Sequence, residues 1–106
     1  MMRKVRRRYL ALEIDSEDTF TSKEFIDATW NAVSKLFGEY GASRTSLALI
    51  EYNSEKRFAV IRVLHKAVDT LRTVLSSITK IGNKPIAIHV LAVSGTIKAL
   101  HRKIKR

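Results

Sequence analysis

Apolar residues follow two rhythms along this chain. Between Tyr9 and Ile14 (YLALEI) they crowd into a short run broken only by Glu13, which predicts a strand. A polar stretch over 15–19 follows. Thr21 and Glu24 then stand three residues apart as a capping box, and Phe20 and Phe25 flank them at the spacing of a hydrophobic staple. The rhythm becomes helical: Phe25, Ile26, Trp30, Val33, Leu36 and Phe37 share one face, Gly38 is placed to stop the helix, and Gly41 reads as a turn glycine. Residues 45–52 (TSLALIEY) and 58–64 (FAVIRVL) are strands joined by a short polar turn, a β-hairpin. Val68, Leu71, Leu75 and Ile78 predict a second helix that Gly82 ends. Pro85 opens a last strand, Ile86 to Val93. Gly95 breaks it, and Thr96 caps a final helix with Ile97, Leu100 and Ile104 on one side.

The order β-α-β-β-α-β plus a C-terminal helix predicts an α+β fold, the ferredoxin-like or RRM-like sandwich. Both helices cover one face of a four-stranded antiparallel sheet. The other face should then alternate to polar residues, and it does not. Tyr9 and Ala11 oppose Leu10, Leu12 and Ile14; Phe58, Val60 and Leu64 oppose Ala59, Ile61 and Val63. The final helix is expected to cover part of this face, and a partner protein the rest, through Tyr9, Phe58, Val60 and Leu64.

Length and composition sharpen the picture. One domain over 1–106 is expected, with 45% hydrophobic residues to build its core. No cysteine is present, which removes disulfides and thiolate chemistry. The formal net charge of +10 is confined to the ends. The N-terminal segment 1–8 carries Arg3, Lys4, Arg6, Arg7 and Arg8; the C-terminal helix, 96–106, carries Lys98, Arg102, Lys103, Lys105 and Arg106. Ten basic and ten acidic residues between them cancel. Such asymmetry speaks about partners, and these ten cations are the candidate phosphate-binding residues. The basic, then apolar N-terminus loosely mimics a signal peptide. Its apolar run is short and contains Glu13, so a cytoplasmic protein is expected. No membrane association is expected, because no apolar run approaches a span and the final helix has a short apolar side without Trp or Phe.

Catalytic patterns are sparse. His65, His89 and His101 have no metal-ligand spacing, and there is no P-loop, Rossmann fingerprint or nucleophile elbow. Asp15, Glu17 and Asp18 could hold a hard cation, but acids ahead of a helix also suit its positive N-terminus. No catalytic residue and no bound metal or cofactor are therefore assigned. Gly38-Glu39-Tyr40-Gly41 matches a GxxG loop, yet it joins a helix to a strand and carries an acid. The strand KRFAVIRV offers only Phe58 for base stacking, so single-strand readout through the sheet is not expected. What remains is electrostatic contact with a phosphate backbone.

Arg8-Tyr9-Leu10, Leu36-Phe37-Gly38-Glu39-Tyr40-Gly41, Ala59-Val60-Ile61-Arg62-Val63 and Ser94-Gly95-Thr96-Ile97 occur in that order. Together, from about Arg8 to Leu100, they resemble the archaeal ribonuclease P protein component 2 family, relatives of the eukaryotic Pop-five subunit. The resemblance implies a subunit of a ribonucleoprotein whose RNA removes the 5′ leader of precursor tRNA, with Mg²⁺ carried by that RNA. It also implies pairing with ribonuclease P protein component 3. Two other readings stand beside it: a ferredoxin-like ligand-binding or oligomerisation module with solvated basic tails, and an autonomous metal nuclease using Asp15 or Asp18.

Overall fold

A computed structural model describes residues 6–104. The elements are β1 (Arg7–Asp15), α1 (Ser22–Ser43), β2 (Ala48–Asn53), β3 (Phe58–Leu64), a 3-10 turn (His65–Ala67), α2 (Val68–Ser77), the two-residue strands β4 (Lys80–Ile81) and β5 (Lys84–Pro85), β6 (Ala87–Ser94) and α3 (Ile97–Ile104). The four long strands form one antiparallel sheet in the order β2-β3-β1-β6. The first and third strands are thus central, as in the expected ferredoxin-like α+β plan.

The alternation along β1 and β3 sorts side chains between two faces. Leu10, Leu12, Ala59, Ile61 and Val63 are fully buried on the face covered by α1 and α2. Phe25 and Val33 of α1 and Leu71, Val74 and Leu75 of α2 close that core. The start of α1 is built as expected: the Thr21 amide donates to Glu24 Oε1 (2.9 Å), and the Glu24 amide donates to Thr21 Oγ1 (3.1 Å). Phe20 and Phe25 are both buried beside it, and the Tyr52 hydroxyl donates to the Phe20 carbonyl at 2.6 Å.

The glycines behave differently from the expectation. Gly38 does interrupt α1, with φ 74° and ψ 166°, but the chain resumes helical turns to Ser43. Gly41 therefore lies in the resumed helix, not in a turn. A Cβ there would stand 2.9 Å from Phe37 Cβ, so close approach across the break explains the glycine. Nor does Gly82 end α2. That helix stops at Ser77, where the Ser76 and Ser77 hydroxyls donate to the Thr73 and Val74 carbonyls. Gly82 instead sits at φ 63° in the β4–β5 turn, a small ribbon the apolar pattern does not announce.

The second face carries its own small core. Ala11, Val60 and Leu100 are buried together, with Tyr9, Phe58, Ala92 and Ile104 half-buried around them. The Ala99 amide donates to Thr96 Oγ1 (3.1 Å), the expected cap of α3. Three of the residues expected to meet a partner protein thus meet the chain's own last helix. Val60 is 1% exposed, and Tyr9 and Phe58 pack around the same cluster. Leu64, at the end of β3, packs on the other core. Leu100 reaches the sheet from α3, while Ile97 stays 38% exposed at its start. Ile50 and Leu91 sit where the register slips beside β3 and β1, and both project as exposed apolar residues on the edge strands.

Candidate nucleic-acid interface

Antiparallel pairing decides where the cations go. Arg7 lies opposite Leu64 and Tyr9 opposite Ser94, so the start of β1 and the ends of β3 and β6 share one end of the sheet. The His65 amide donates to the Arg6 carbonyl (2.8 Å), and the Leu64 amide to the Thr45 carbonyl (2.9 Å), which ties the loops there together. Arg6, Arg7, Arg8, Lys66 and Lys98 gather at this end, Lys98 in the first turn of α3. The two basic stretches, remote in sequence, therefore converge. Arg8 Nη1 donates to the Arg7 carbonyl (2.9 Å) and stands 3.5 Å from where a Cβ on Gly95 would be, against the β6–α3 junction.

Helix α3 splits its charge by direction. Leu100 points to the sheet, while Lys98 and Arg102, four residues apart, are exposed on the outer side. Lys103 is less available than its sequence position suggests, because its Nζ donates to the Val93 carbonyl at 2.5 Å. The remaining candidates, Arg3, Lys4, Lys105 and Arg106, lie outside the described residues.

Among the described residues the close charged contacts are the Lys23–Asp27 ion pair and the histidine–carboxylate contacts His89–Asp15 and His101–Glu51, and none involves these cations. Asp69 opens α2 three residues after Lys66, but no ion pair among the described residues offsets the repulsion among these cations, so the patch favours a polyanion. Arg7, Arg8 and residues 98–103 belong to β1 and α3. The described basic residues are thus built into the fold, which does not fit the reading that makes them tails. Charge counting at the termini misses Arg62 of β3 and Lys66 of the 3-10 turn, which belong to the same end. The signal for Arg62 was its place in FAVIRVL: a lone cation within an apolar strand.

The other end of the sheet is acidic. Asp15 Oδ2 lies 3.8 Å from His89 Nε2. Ser16 Oγ donates to the Pro85 carbonyl (2.6 Å) and accepts from the Asp18 amide (3.1 Å), ordering the turn that carries Glu17 and Asp18. Among the described residues, no group of three or more His, Asp or Glu side chains is placed to hold a metal. No helix among them is long and apolar enough to cross a membrane. Two groups near α1 have displaced pKa values. The Thr21 amide holds the Glu24 carboxyl below its ordinary value, and burial raises the Tyr52 hydroxyl above its own. Neither belongs to the basic end.

The sequence model of the Rpp14/Pop5 family matches residues 8–105. The chain belongs to the Rpp14/Pop5 family. Ribonuclease P protein component 2 of Pyrococcus abyssi is 35% identical over 98 residues, spanning 92% of this chain and 83% of its own. The protein of the same name from Thermococcus kodakarensis is 33% identical over 92% of this chain and 82% of its own. That from Methanococcus maripaludis is 35% identical over 92% and 74%. A chain in the cryo-EM structure of yeast ribonuclease MRP shares the fold, with a TM-score of 0.72 over 91% of this chain and 79% of its own at 18% identity. The Rpp14/Pop5 match takes in Arg8, Arg62, Lys66 and the whole of α3, whereas Arg6 and Arg7 precede it.

Proposed function

We propose that this chain is a protein subunit of ribonuclease P. It binds the catalytic RNA of that complex and supports endonucleolytic removal of the 5′ leader from precursor tRNA. The observation that carries this reading is the convergence of Arg6, Arg7, Arg8, Lys66 and Lys98 at one end of the sheet, with Arg102 exposed further along α3 and none of them in an ion pair among the described residues, in a chain of the Rpp14/Pop5 family. The chemistry asked of the protein is modest. Its cations neutralise phosphates and release counterions, so RNA helices that repel one another can pack at lower salt. Hydrolysis belongs to the RNA and the Mg²⁺ that the RNA holds; the protein itself binds no cofactor. Arg3, Lys4, Lys105 and Arg106, which lie outside the described residues, are proposed as further phosphate-binding cations, and Lys103 adds the donors that Val93 leaves over.

In this reading the working assembly contains ribonuclease P RNA, ribonuclease P protein component 3 and, through the complex, precursor tRNA, in the cytoplasm and without a membrane. The test is precursor-tRNA cleavage in a reconstitution of the RNA with component 3, with this chain added or left out. Addition should restore 5′ cleavage at moderate Mg²⁺, while the protein alone cleaves nothing. Cleavage that is indifferent to the chain would overturn the proposal, and cleavage by the protein alone would point to a nuclease in its own right.

A further inference from the structure

One cation is held differently from the others. Arg62 lies inside β3, on the α3 side of the sheet, opposite Tyr9 on one neighbour and Ala48 on the other. Val60 and Leu64 flank it along the strand; the acid of this face, Glu51, lies opposite Val60 one row away and stands 3.8 Å from His101, and it makes no ion pair with Arg62. Its Nε is buried and has no hydrogen-bond partner, although the residue as a whole is only half-buried. A guanidinium fixed in this way keeps its charge and presents its outer nitrogens to solvent. The path of α3 explains why that edge stays open. The helix starts just past Ser94, beside Tyr9, and by Leu100 and His101 it has moved one row along, over Val60 and towards Glu51. The corner holding Arg62 and Ala48 is therefore flanked by α3 and lies off the Leu100 contact. Arg7 sits diagonally across on the same face, one row nearer the basic end.

We propose that Arg62 is a phosphate-binding residue of the RNA interface, seating one backbone phosphate in the corner between α3 and β2. The inference rests on reading the basic end as an RNA contact. A phosphate suits the site for two reasons. Its paired oxygens match the planar fork of arginine, and the neighbouring cations, Arg7 and Lys98 among them, continue away from the corner as a phosphate backbone would. The buried Nε fixes the guanidinium in place, and an anion on the open edge pairs the outer nitrogens and neutralises the charge.

The test measures binding of the full chain to ribonuclease P RNA across a range of salt, for wild type, Arg62→Gln, Arg62→Lys and Lys98→Gln. Arg62→Gln should weaken binding roughly tenfold at low salt and reduce the salt slope by about 1. Arg62→Lys should keep the slope and lose affinity, because the charge stays and the fork goes. The thermal midpoint of Arg62→Gln should be no lower than that of wild type, since a purely structural arginine would lose stability instead. Wild-type affinity and slope in Arg62→Gln, with Lys98→Gln weakened, would overturn the assignment while leaving the RNA reading intact; the fork would then suit a carboxylate of a protein partner. Salt-independent binding by the wild type would overturn both.

Discussion

The two ends of the sheet carry opposite charge and treat it in opposite ways. At the end where β1 stops, two carboxylates, those of Asp15 and Glu24, have partners within the chain. Asp15 faces His89, Ser16 and Asp18 are held in a hydrogen-bonded turn, and Glu24 accepts from the cap it helps to form. Arg57 is close by, its carbonyl accepting from the Ile14 amide (2.8 Å). At the end where β1 starts, Arg6, Arg7, Arg8, Arg62, Lys66 and Lys98 share one neighbourhood and take part in none of the ion pairs. A folded chain tolerates such crowding on an exposed surface because water screens it. The difference teaches how to weigh charge here. Asp15 and Glu24 meet partners inside the structure, while the cations of the basic end form no ion pair among the described residues.

That contrast depends on α3, which carries Lys98 and Arg102 and is fixed by a small core. Leu100→Ala removes the only α3 side chain that is fully buried. Stability should fall by about 2–3 kcal/mol, near the low end for such a truncation because a small cluster relaxes easily. Urea unfolding measures it. A loss below about 0.5 kcal/mol would mean that α3 is not anchored as described. RNA affinity should fall in parallel, since two cations lose their fixed positions.

A direct comparison of the ends comes next in size. Arg7→Glu with Arg8→Glu should cut affinity for ribonuclease P RNA by at least roughly tenfold and lower the salt slope by about 2. Asp15→Asn with Asp18→Asn, at the other end, should leave slope and affinity nearly unchanged. Equal effects from the two pairs would break the comparison and leave only net charge as the cause.

Much of the fold was legible because its signals are local. The Thr21–Glu24 box, the Val68–Leu71–Leu75 spacing and the apolar runs of β1 and β3 each state an element within a few residues, and the element order then selects the sandwich. The site was legible only in part. Arg7, Arg8, Lys98 and Arg102 stood out as charge runs, but nothing in the linear order says that they meet. Antiparallel register brings them together, and it brings in Arg62 and Lys66, whose local sequence is balanced or apolar. The surplus of apolar residues on the second face was equally visible, yet it predicted a partner at Tyr9, Phe58 and Val60 where α3 supplies the cover. An apolar face announces that something must bury it, and does not name what. The resumption of α1 after Gly38 and the β4–β5 ribbon escaped for a related reason: short elements carry too few residues to show a period.

The smallest effect sharpens the comparison from the acidic side. Thr21→Ala deletes the hydroxyl that receives the Glu24 amide and should cost about 1 kcal/mol at neutral pH. Glu24 adds a pH signature. Its folded pKa is depressed, chiefly by the Thr21 backbone amide, so the stability it contributes is present above the unfolded carboxylate value of about 4.3. That stability is lost as pH falls through the lower folded value. Thermal unfolding of wild type and Glu24→Gln over an acid series should therefore show a constant difference above about pH 5 that shrinks on further acidification. A difference that stays constant down to acid unfolding would remove Glu24 as the source. RNA affinity should not change in either variant, because the cap of α1 belongs to the end where charge is answered within the chain. A loss of affinity matching the loss of stability would mean that the two ends are coupled through the sheet and that the basic end needs the whole fold to hold its shape.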